Sequence, residues 1–142
     1  MDTNKLFHNK CDNQGPTICL CKNEKDNIFG GYASISWTSD NSYHAANGSF
    51  LFTLTNIHGT APTKYPNTQN YNCAVYHNSD RIAFGGNHDL HICNNYLNNT
   101  CSYASLGYSY PDILGKGNSI FSGDNNNNYF KLKELEVFKL LN

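Results

Sequence analysis

Asp89, His91 and Cys93 alternate along one short stretch of the chain. In a strand all three project from one face, where an acid, an imidazole and a thiol could meet a metal ion or form a Cys–His pair. Neighbours on such a face stand about 7 Å apart, too far for all three to hold one ion. The stretch therefore reads as the polar outer face of a strand. Cys19 and Cys21 bracket Leu20, and Cys11, Cys73, Cys93 and Cys101 complete the set of six. No C-x-x-C occurs. His8 with Cys11 and His91 with Cys93 are the available zinc half-sites, and they lack the paired short spacings of a structural zinc centre. The cysteines read as small buried hydrophobes. The expectation is six free thiols, no essential metal and no other cofactor.

Three further motifs have ordinary structural readings. Gly85-Gly86-Asn87-His88 could cradle a phosphate only if a helix N-terminus followed; a strand follows, so it reads as a tight turn using positive φ. Glu134 and Glu136 share one face of a closing strand beside Lys133 and Lys139, which suits a solvated face better than acid–base work. The sequons at Asn47 and Asn98 read as coincidence in an Asn-rich chain. No Ser–His–Asp set, P-loop, dinucleotide fingerprint or EF-hand is present.

Position 3 to 11 reads as a short helix, with Phe7 and Cys11 four apart on one face. Asp12-Asn13-Gln14-Gly15-Pro16 stops it. The period then changes to two. Thr17 to Lys22 is a first strand, with Ile18 and Leu20 on one face and Cys19 and Cys21 on the other. Ile28 to Ser36 is a second, broken at Gly30-Gly31 by a bulge or a close backbone approach. Phe50 to Leu54 is a third, with Phe50, Phe52 and Leu54 inward. Cys73 to His77 and Arg81 to Gly85 form a hairpin across Asn78-Ser79-Asp80. Asp89 to Cys93 follows, with Leu90 and Ile92 inward, and Lys133 to Leu140 closes the chain. Ser39 to Ser49, Gly59 to Asn72 and Asn94 to Asn128 read as loops. Seven or so short strands without room for crossover helices predict a mostly β fold, an antiparallel β-sandwich with one or a few short helices.

At 142 residues the chain is the size of one domain. Net charge is −1 and Arg81 is the single arginine, so the basic stripe of a nucleic-acid binder is missing. No apolar run is long enough for a membrane-spanning helix. The first residues lack the apolar core of a secretion signal, which points to the cytoplasm and to reduced thiols.

Several segments, in order, resemble the TLDc domain family, especially its protist members. Phe7-His8-Asn9-Lys10-Cys11-Asp12-Asn13-Gln14-Gly15-Pro16-Thr17 resembles the family's F-H-x-K-C-D-N-x-G-P-T. Phe29-Gly30-Gly31-Tyr32 resembles F-G-G-Y, with Trp37 following. Ser49-Phe50-Leu51-Phe52 resembles S-F-L-F. Phe84-Gly85-Gly86-Asn87-His88-Asp89-Leu90 resembles an F-G-x-G-H-D-[IL] segment, and Leu135-Glu136-Val137-Phe138 the closing L-E-V-W/F strand. The resemblance implies a β-sandwich with a few helices. It also implies a link to oxidation resistance and, for several members, binding to the soluble sector of the vacuolar-type proton pump, the V-ATPase. It carries no catalytic residues. This chain departs from animal members at His91-Ile92-Cys93-Asn94, where they have L-W-[IL] and an acid, and at Phe138, where many have tryptophan.

The preferred function is a non-catalytic protein-interaction domain. One alternative is a thiol-based redox protein using Cys19, Cys21 or Cys93, since a reactive thiol needs a nearby base or helix N-terminus. Another is a lectin-like sandwich stacking sugars on Trp37, Tyr103, Tyr108 and Tyr110. The family's domain starts further upstream, so the chain is expected to be an N-terminally truncated form. An uncovered edge or apolar patch is expected near the first helix, around Phe7, Ile18 and Leu20, and it invites self-association.

Overall fold

The computed structural model describes residues 3–141. Helix α1 (Thr3–Cys11) is followed by β1 (Thr17–Asn23), β2 (Ile28–Ala33), β3 (Tyr43–His44), β4 (Phe50–Thr55), β5 (Thr63–Pro66), β6 (Val75–Tyr76), β7 (Ile82–Phe84), β8 (Leu90–Ile92) and β9 (Ser102–Ala104). Helix α2 (Ser119–Ser122), β10 (Tyr129–Phe130) and β11 (Leu132–Lys139) complete the chain. The strands form two antiparallel sheets. One has five strands in the order β11-β1-β2-β4-β5; the other has six, β10-β9-β8-β7-β6-β3. The architecture is the expected mostly β sandwich with short helices.

Local signals account for much of this. β1 alternates buried and half-buried residues along its whole length, the period a half-buried strand requires, and Cys19 and Cys21 are its inward positions. The hairpin of β6 and β7 forms where expected, with Val75 opposite Phe84. β11 returns from the far end of the sequence to pair with β1, from Thr17 opposite Lys139 to Cys21 opposite Leu135.

Gly30 and Gly31 mark a close approach, as predicted for that pair. A Cβ on Gly30 would run into the Cys19 carbonyl oxygen, and one on Gly31 would stand 2.6 Å from Phe84 Cζ. Trp37, fully buried, sits between the layers with Phe7, Phe84 and His77 around it, ring centroids 5.3–5.8 Å away. Its indole N–H donates to Thr17 Oγ1 at 3.1 Å, which satisfies the donor that burial would otherwise leave unpaired.

Five expectations are corrected, the first being the stretch from 39 to 49, which is not all loop but contains the edge strand β3. In β4 the inward residues are Leu51 and Thr53, while Phe50 is half-buried and Leu54 is exposed. Leu51 pairs with Gly31 and Tyr65, and Phe52 with Gly30 and Lys64, so the pairing register places Phe50, Phe52 and Leu54 outward. Phe52 is covered because its ring lies over Gly30, not because it faces the core. The stretch from 59 to 72 contains β5, whose Tyr65 is buried. The stretch from 94 to 128 contains β9 and α2. α2 is held from outside: Asn23 Nδ2 donates to the carbonyls of Phe121 and Ser122 at 2.9 and 3.0 Å. Finally, Cys93 and Cys101 form a disulfide with Cα atoms 5.8 Å apart, so the thiols are not all free. β8 and β9 are neighbours, and that pairing brings residues eight apart within bonding reach.

Candidate functional site

The motif residues separate into those the fold consumes and those it presents. In the first motif, His8 is buried. Its Nδ1 pairs with Asp12 Oδ1 at 2.8 Å and its Nε2 with the Arg81 carbonyl oxygen at 3.0 Å, the latter possible only when that nitrogen is protonated. The Ser39 hydroxyl donates to Asp12 Oδ2. Asn13 takes a left-handed turn and its N–H donates to the Trp37 carbonyl at 2.8 Å. Gly15, at φ +79°, donates its N–H to Ser36 Oγ before Pro16 leads into β1. The motif thus ties α1 to the Trp37 loop and to β7.

In the glycine-turn motif, Asp89 is fully buried and one carboxylate oxygen, Oδ2, accepts the N–H groups of Tyr108, Ser109 and Tyr110 at 3.1, 3.0 and 3.0 Å. Burial raises its pKa above the ordinary carboxylate value, against the lowering effect of those three amides. Gly85, at φ +92°, lies where any Cβ would strike the Asp89 carboxylate. Asp89 is therefore a clamp on the 108–110 loop. Phe29 and Leu51 are core, Phe50 is half-buried, and Glu136 is exposed on the solvated face predicted for it.

His88 and His91 belong to a feature that no motif signals. One residue per strand faces outward across the six-stranded sheet in a single row: Tyr129, Tyr103, His91, Ala83, Tyr76 and Tyr43. Ala83 leaves a gap one side chain wide. His88, from the β7–β8 turn at φ +53°, fills it, stacking on Tyr76 at 5.5 Å and on His91 at 5.6 Å. His91 stacks in turn on Tyr103 at 4.6 Å, and Tyr43 packs at a tilt against Tyr76 at 4.5 Å. The His88 ring nitrogens reach Tyr103 Oη at 3.1 Å and Tyr43 Oη at 3.3 Å. The row is buried at His91 and about half exposed at Tyr43 and Tyr129. Burial, with Arg81 and His88 nearby, lowers the His91 pKa to about 4. The predicted polar face of Asp89, His91 and Cys93 is thus overturned: all three are buried, one in a clamp, one in a ring stack and one in a disulfide. Aromatic residues at alternate positions of short strands were the available signal. The row itself exists only once six strands are in register.

At the edge of the same sheet, Asp40, His44 and His77 offer ligand atoms that lie within 4.8 Å of one another. His44 Nε2 pairs with Asp40 Oδ2 at 2.7 Å, and Asp40 Oδ1 accepts the N–H and hydroxyl of Ser42. Those bonds hold the Asp40 carboxyl well below the usual range. His77, buried, stacks on His44 at 4.1 Å and bonds Thr38 Oγ1 through Nδ1 at 2.7 Å.

Cys19 and Cys21 are buried, and burial pushes the Cys19 thiol well up and the Cys21 thiol to about 12. Burial also raises Cys11. Trp37 and Tyr110 are fully buried, and Tyr108 is exposed. The apolar patch expected around Phe7, Ile18 and Leu20 divides in two. Phe7 lines a groove of about 460 Å³ with Cys11, Tyr96, Leu135 and Val137. Ile18 and Leu20 are half-buried on the outer face of the five-stranded sheet, away from α1. Among the described residues no helix is long and apolar enough to cross a membrane.

A two-sheet antiparallel sandwich closed by its last strand, with buried His8 and Asp89 holding its loops, defines the class of the molecule. The sequence model of the TLDc domain matches residues 3–141, and the chain belongs to the TLDc domain family. No curated protein matches it closely enough to count as a relative.

Proposed function

We propose that this protein is a non-catalytic, cytoplasmic interaction domain whose partner is the soluble sector of the V-ATPase, in the service of oxidation resistance. The observation that carries the reading is the family match across residues 3–141. Two features support binding over chemistry. The polar motif residues His8, Asp12 and Asp89 spend their hydrogen bonds on the fold. The aromatic row across the six-stranded sheet ends in exposed Tyr43 and Tyr129, the residue type enriched at protein interfaces. Direct thiol chemistry is disfavoured by the raised thiols of Cys19 and Cys21 and by the pairing of Cys93. Sugar stacking is disfavoured by the burial of Trp37 and Tyr110. Self-association is part of the proposal: β11 and β5 are the outermost strands of their sheet, and outermost strands template pairing with a second chain.

The test is co-purification of pump subunits with the tagged chain from its own cells, beside a Tyr43→Ala/Tyr129→Ala variant. Recovery of peripheral pump subunits by the parent and at least tenfold less by the variant is expected. No recovery by the parent refutes the partner; equal recovery by both refutes the face. Sedimentation across a concentration series reads the self-association.

A further inference from the structure

We propose that Asp40, His44 and His77 form a binding site for one divalent transition-metal cation, with Zn²⁺ the natural probe. One acidic oxygen and two imidazole nitrogens are a borderline donor set suited to first-row divalent ions. Their ligand atoms already lie within 4.8 Å of one another; zinc bonds of about 2.0–2.2 Å require that set to contract and the His44 ring, stacked on His77 at 4.1 Å, to swing out of the stack so that both in-plane lone pairs meet the ion.

The residues able to move are the right ones. Asp40 is exposed and His44 is half-buried. They stand on the segment where Ser39 and Asn41 both take positive φ, 58° and 59°. His77 is the fixed member, 1% exposed.

A second observation is independent of this clustering. His77 Nε2 is buried and has no hydrogen-bond partner, although its ring is held by Thr38 at Nδ1. With the proton on Nδ1 donating to Thr38, Nε2 carries a bare lone pair in the interior, beside the His44 ring. A buried polar atom left unpaired keeps the full penalty of its lost hydration. Such a lone pair can be donated to a cation, and a hydrogen bond from the far ring nitrogen, here to the Thr38 hydroxyl, fixes the ring as partners behind a metal-bound histidine do. The Asp40–His44 contact at 2.7 Å is the bond a metal replaces: the His44 ring proton moves to Nδ1 and Nε2 turns its lone pair to the ion. Three protein ligands leave a fourth position for water. The site departs from the sequence expectation of no metal, because its members come from a loop, an edge strand and the far side of a hairpin.

The experiment uses the full chain, chelator-treated, with free thiols blocked by N-ethylmaleimide under native conditions, titrated with Zn²⁺ by calorimetry and followed by thermal melting. One equivalent bound, a rise in melting temperature, and an X-ray absorption edge showing only nitrogen and oxygen neighbours are expected. Asp40→Asn/His44→Gln, changed at accessible positions, should keep the metal-free melting temperature and bind at least 100-fold more weakly. Thr38→Val should weaken binding roughly 10–100-fold. Zn²⁺ bound equally by the double variant, sulfur among the neighbours, or no saturable uptake by the parent chain overturns the proposal.

Discussion

The ring of Phe84 packs directly on the Cα of Gly31, so closely that a Cβ there would stand 2.6 Å from Phe84 Cζ. Phe84 belongs to one sheet and Gly31 to the other, and this contact sets how near the layers come. Phe84 cannot retreat, because Trp37 and Tyr110 flank it at 5.6 and 6.5 Å. Gly31→Ala should therefore destabilise by about 1–3 kcal/mol, the cost of overpacking a closed core. Chemical denaturation of the variant checks this; an unchanged midpoint means that the layers are free to part.

Asp89→Ala removes the acceptor of three backbone N–H groups. Leaving buried donors unpaired costs about 1–3 kcal/mol each, so a loss of at least ~3 kcal/mol is expected, with a fall in melting temperature of roughly 10 °C. Asp89→Asn keeps one carbonyl oxygen and should lose much less. Equal losses in the two variants would show that the carboxylate matters for its charge and not for the clamp.

His91 sets a pH dependence. Its pKa falls from about 6.5 in the unfolded chain to about 4 in the folded one, chiefly through burial. Between those values the unfolded chain binds more protons than the native one, so stability rises with pH there. Stability supplied by neutral His91 is complete above about pH 6.5 and is lost as pH falls toward 4. His91→Phe keeps a ring in the stack and removes the titration. Its loss of stability between pH 7 and pH 4.5 should be smaller than the parent's by about 1–3 kcal/mol. Identical pH profiles would place the acid sensitivity elsewhere.

The disulfide sets a thiol count. Unfolded without reductant, the chain should expose four thiols, Cys11, Cys19, Cys21 and Cys73, and six after reduction. Six before reduction would mean that Cys93 and Cys101 are unpaired.

The sequence by itself determined the local pieces. The i, i+4 pair Phe7 and Cys11, stopped by Gly15-Pro16, makes α1; the alternation of Thr17 to Asn23 makes β1; the turn at Asn78-Ser79-Asp80 makes the β6–β7 hairpin. Each follows from backbone propensities and side-chain period acting over a few residues. The ordered motifs carried the family for the same reason, being short strings with their glycines and prolines in place. The tertiary structure alone decided which side of each strand is inside. Phe50-Leu51-Phe52-Thr53-Leu54 is apolar at both parities, so only the pairing of Leu51 with Gly31 sent Leu51 inward. It alone decided the partners of distant groups: Asp89 with the 108–110 amides, Cys93 with Cys101, and His77 with Asp40 and His44. The aromatic row is the clearest instance. Its rings come from separate strands and one turn, and a one-residue slip in any pairing would turn that strand's ring to the other face. Register is a property of the whole sheet, and no window of sequence contains it.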